Sequence, residues 1–110
     1  MENKSIHEHA KDFDAQIRGI VSHFDLDSLT HETRRLVADI KRLAVDVRLD
    51  VRDYEYAQTR AEQLGAAHES RTRLEQLHTN LLAASEQNLF SAVDVAQLSA
   101  LIHYIISELR

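Results

Sequence analysis

A chain of 110 residues with no proline and only two glycines, Gly19 and Gly65, has few ways to stop a helix. Proline removes a backbone donor and glycine supplies the left-handed turn, so their scarcity predicts long helices joined by polar turns. The same scarcity excludes some functions. Phosphate-cradling loops and dinucleotide fingerprints need glycines where the backbone approaches a ligand, and neither can be written into this chain. The absence of cysteine removes disulfides, thiolate nucleophiles and cysteine-ligated zinc.

Apolar spacing sets the elements. Ile6, Ala10, Phe13, Ile17, Ile20 and Phe24 alternate steps of four and three, which predicts a helix from about Ser5 to Phe24. The capping-rich run from Asp25 to Ser28 makes the first turn. A second helix begins at Ser28 or Thr30 and meets no strong stop before Gly65, with Leu36, Ile40, Leu43, Val47, Val51 and Tyr54 on one face. Ala57, Ala61 and Gly65 follow as a shallow strip suited to close helix approach, and Gly65 reads as a left-handed cap. A third helix runs from about Ala67 to Ala84 through Leu74, Leu77 and Leu81, its end loosely marked by Ser85 to Asn88. The fourth starts at Ser91, where an N-cap serine, Asp94 three residues on, and a Phe90–Val95 staple coincide. Val95, Leu98, Ile102, Ile105 and Leu109 carry its seam to the last residues, which are expected to be docked. The expected fold is a single all-α domain, residues 1–110: an antiparallel bundle of about four helices with a long second helix as its spine.

The lengths do not match. The second helix, at about 35 residues, spans about 50 Å, whereas its neighbours at about 20 residues span about 30 Å. Either it breaks between Tyr54 and Ala61, or a second copy covers the overhang. Val45 and Leu49, apolar and on the side away from the main seam, favour the second copy, so a homodimer is expected. Beside them Arg34, Lys41, Arg48 and Arg52 fall within about 40° of one another, a basic strip that an acidic partner could meet. Glu32, Asp39, Asp46 and Asp50 form a separate acidic edge, with ion pairs expected within the helix from Arg35 to Asp39 and Arg42 to Asp46.

Seven histidines bring metal binding into consideration. His7 and His9 are two apart, which suits an extended segment and not a helix. Glu75 and His78 have the E-x-x-H spacing that, used twice, builds di-metal sites in helical bundles; it occurs once here. His31-Glu32-Thr33-Arg34-Arg35 resembles the phospho-accepting segment of sensor histidine kinases, where a histidine followed by Glu and Arg sits on the first helix of a dimeric hairpin. The resemblance covers only that short segment and lacks the proline that usually follows. It implies phosphotransfer through His31.

The net charge of −5 opposes nucleic acid as the main partner. No nucleophile elbow, oxyanion-hole turn or distinguished carboxylate pair points to catalysis, and no cofactor is implied. No apolar run approaches the roughly 20 residues of a membrane span, and Met1 to Lys11 is too polar for a signal peptide, so a cytoplasmic protein is expected. The expected function is a non-enzymatic protein-interaction module: an adaptor, regulator, chaperone or immunity-type protein. It would use Val45, Leu49, Arg34, Lys41, Arg48 and Arg52. A metal- or small-ligand-binding bundle using Glu75, His78 and one or more other histidines is the alternative, and phosphotransfer comes third.

Overall fold

A computed structural model describes residues 4–110; Met1 to Asn3, the start of the polar segment noted above, lie outside it. Four α-helices and one 3-10 turn make up the described chain, with no strand among the described residues: α1 (Ile6–Val21), α2 (His31–Glu55), α3 (Arg60–Glu86) and α4 (Ala92–Glu108), the turn being Leu26–Ser28. Each helix starts at a hydroxyl side chain that accepts from a free N–H of the first turn. Ser5 accepts from Glu8, Thr30 from Thr33, Thr59 from Glu62 and Ser91 from Asp94. The Phe90–Val95 staple is in place, with both residues buried.

Neighbouring helices run antiparallel. Glu55 at the end of α2 accepts from the His7 N–H at the start of α1, at 2.9 Å. Thr33 early in α2 donates to Gln87 just past α3 at 2.8 Å, and Arg71 in the first half of α3 donates to the Leu109 carbonyl just past α4 at 3.2 Å. The His9 ring packs edge-on against Tyr104, closing α4 onto α1. These pairings place α1, α2, α3 and α4 in a ring of antiparallel neighbours, with α2 and α3 sharing the most extensive contact.

The core is one cluster drawn from all four helices. Phe13 and Ile17, Ile40 and Val47, Leu74, Leu77 and Leu81, and Leu98, Ile102 and Ile105 are its largest members, each almost wholly excluded from water. Leu109 is buried, and the Arg110 N–H donates to the Tyr54 hydroxyl at 3.1 Å, so the last residues are docked as expected.

The second helix is not continuous to Gly65. It ends at Glu55, and the chain turns back through residues 56–59 into α3, which begins at Arg60. The break is marked by a variant of the capping box at the start of α3, not by a glycine. Thr59 Oγ1 accepts from the Glu62 N–H at 3.1 Å, and Glu62 Oε2 accepts from the Gln58 N–H at 3.3 Å. Gly65 sits inside α3 with an ordinary helical φ, and no helix lies against the Ala57, Ala61 and Gly65 strip: Ala61 and Gly65 are exposed, and a Cβ at Gly65 would meet nothing. The break also shortens α2 to 25 residues, about 37 Å, which α3 at 27 residues matches, so the length mismatch disappears on the α3 side while α1 at 16 residues stays shorter. Thr59→Ala is expected to cost about 1 kcal/mol, measured by thermal or urea unfolding.

At the other end of α3 an asparagine takes the role of glycine. Asn88 adopts φ 61°, and the Leu89 N–H donates to the Ala84 carbonyl while the Asn88 N–H donates to Ser85, both at 3.0 Å. That is a Schellman closure, and asparagine is the non-glycine residue that best tolerates the left-handed conformation.

Candidate interaction face on the second helix

α1 and α3 flank α2 and cover its Ile40, Val47 and Val51 side. The opposite side faces outward. Leu49 lies there 38% exposed, with half-buried Val45 one turn earlier and exposed Ala38 nearby. Arg34, Lys41 and Arg52 stand along one edge, all exposed, and none of the three forms an ion pair among the described residues.

Arg48 does not belong with them. Its guanidinium turns inward to α1 and donates to Asp14 Oδ2 at 3.1 Å, where Arg18 also pairs at 3.1 Å. Asp14 is wholly buried, and its Oδ1 has no hydrogen-bond partner. A buried carboxylate needs a cation, because its hydration is lost and few dipoles replace it. Arg48 is therefore a structural counter-ion.

The acidic edge is divided in the same way. Asp46 and Asp50 point across to α3, where Arg73 pairs with both and with Glu69. Burial pushes the Asp50 carboxyl above its usual range, an effect that the hydrogen bond from Arg73 opposes, and that bond raises Arg73 in turn. The expected Arg42–Asp46 pair is absent; Arg42 approaches Asp39 at 3.6 Å instead. The outer face of α2 is thus apolar at its centre, basic on one edge, and separated from a charged seam that α3 satisfies.

The histidines scatter. His31 is the first residue of α2 and exposed, a helix-start position unlike the mid-helix site that phosphotransfer requires. His7 is held at the α1–α2 end and His9 lies on Tyr104. Glu75 is exposed and His78 half-buried, and among the described residues no three His, Asp or Glu side chains converge as metal ligands. The neighbour of His78 is His103 on α4, with ring centroids 5.6 Å apart. His103 carried no motif in the sequence; only the antiparallel register of α3 and α4 brings it there.

The described residues form a four-helix antiparallel bundle, on which Leu49 is one of several exposed large hydrophobic side chains. No helix among the described residues is long and apolar enough to cross a membrane. No family model matches the chain, and no curated protein or solved structure is significantly similar to it.

Proposed function

We propose that the chain is a non-enzymatic protein-interaction module that binds through the outer face of α2, in its simplest form to a second copy of itself. The observation that carries this reading is Leu49, exposed in the second half of a helix whose other side is sealed. An exposed leucine alone means little, since much of any protein surface is apolar. Here it adjoins Val45 and Ala38 along one line, and the Arg34, Lys41 and Arg52 side chains beside it have no ion-pair partner among the described residues. A partner helix that lays an apolar ridge on Val45 and Leu49 and carboxylates beside Arg34, Lys41 and Arg52 would satisfy both. A two-fold pairing of α2 with its own copy meets the apolar requirement directly.

The test is Val45→Asp with Leu49→Asp. The double variant places two charges at the centre of the face while leaving the buried seam intact. Light scattering is expected to show loss of any dimer, and capture of a partner is expected to fall by at least about tenfold, the equivalent of about 1.4 kcal/mol. The reading fails if both oligomeric state and partner capture are unchanged in a folded double variant.

A further inference from the structure

We propose that His78 and His103 form a two-imidazole clamp for a divalent transition-metal ion of the zinc type, on the seam between α3 and α4. The seam lies away from the outer face of α2, so this site stands apart from the docking reading.

The geometry comes first. The two rings have centroids 5.6 Å apart and planes at 80°. Two imidazoles bound to one tetrahedral zinc, each at about 2.0–2.1 Å, place their centroids about 5 Å apart. The observed spacing is therefore close to that of a shared ion. The torsion that turns an imidazole about its Cβ–Cγ bond is broad and two-fold, so each ring can turn toward a shared ion. His78 is half-buried and His103 exposed, which leaves the remaining positions on the metal to water. Imidazole suits zinc, copper and nickel, and disfavours magnesium and calcium, which take oxygen ligands.

The surroundings permit a cation. Glu75, exposed one turn before His78, adds negative charge to that side of α3 but does not converge with the two rings as a third ligand. Arg71 is about 10 Å further along α3, and its guanidinium is committed to the Leu109 carbonyl. The two ligands come from different helices, so a bound ion bridges α3 to α4 and stabilises the folded bundle by mass action.

The experiment is a titration of metal-free, untagged protein with zinc chloride, followed by calorimetry and by the imidazole resonances of all seven histidines. One zinc per chain is expected, with only the His78 and His103 rings shifting and the melting temperature rising as zinc is added. His103→Ala and His78→Ala should each weaken binding by at least about tenfold, because one imidazole alone is a poor zinc ligand. His68→Ala, on an exposed part of α3, and Val45→Asp with Leu49→Asp should leave it unchanged. An absence of saturable binding, shifts centred on His7, His9 or other histidines, or binding indifferent to His103→Ala would each overturn the proposal.

Discussion

Arg48→Ala is expected to lower stability by about 3 kcal/mol, measured by urea unfolding with an unchanged slope. The size follows from what is left behind. Asp14 is wholly buried and keeps only Arg18, whose own side chain is 55% exposed. Removing one partner of a buried pair strands the other charge, and that stranded charge dominates the loss. Arg48 is itself 31% exposed at its side chain, which places the effect at the lower end for buried pairs. Arg34→Ala, Lys41→Ala and Arg52→Ala have no such dependant and should each stay within about 0.5 kcal/mol. Asp14→Leu combined with Arg48→Met should recover most of the loss, since apolar groups of similar volume replace buried ion pairs at little cost. The comparison also separates fold from function. If Arg48→Ala costs no more than Arg52→Ala, Arg48 returns to the binding strip; if it costs several times more, the strip consists of the other three.

The helices that the sequence disclosed best are those whose apolar seam faces a single core. Leu74, Leu77, Leu81 and Ala84, and Val95, Leu98, Ile102, Ile105 and Leu109, stand out by spacing alone and are all buried. α2 was harder because its buried side is wider: Val37 and Ala44 join the core beside the main seam. Its end was missed for a different reason. A helix stop was sought in glycine, but the break lies at residues 56–59, and α3 restarts from the Thr59 cap with Glu62 three residues on, the same chemistry as the correctly placed start at Ser91. Likewise Asn88, not a glycine, closes α3.

Charges were the least legible part. A helical wheel places Arg48 beside Arg34 and Asp46 beside Asp39, but it carries no information on what the neighbouring helix presents at that height. Asp14 on α1 captures Arg48, and Arg73 on α3 captures Asp46 and Asp50. These pairings span 23 to 34 residues of chain, and they follow only once the loops set the helix register. The positions of half-buried Val45 and exposed Leu49, by contrast, depend on spacing within α2 alone.

Phe90→Ala should be the most costly substitution in the turns, at about 3–5 kcal/mol by chemical unfolding. Phe90 is 2% exposed at the entry to α4, where it forms the staple with Val95. Its ring also meets that of Phe24 edge-to-face, with centroids 5.6 Å apart and planes at 82°. Phe24 belongs to the connection between α1 and α2, so one ring holds two separate turns at the same end of the bundle. The Thr33–Gln87 hydrogen bond lies at that end as well, tying the start of α2 to the end of α3. Phe90→Leu, which keeps most of the volume but loses the aromatic edge, should cost no more than about 1.5 kcal/mol. A double-mutant cycle of Phe24→Ala and Phe90→Ala should reveal a coupling of about 0.5–1.5 kcal/mol, the range for aromatic pairs. Such coupling would mean that the first turns of α2, where Arg34 lies, are positioned by α4 as well as by the core. An additive cycle would mean that the two turns are held independently and that α2 keeps its outer face in place through its own seam with α1 and α3.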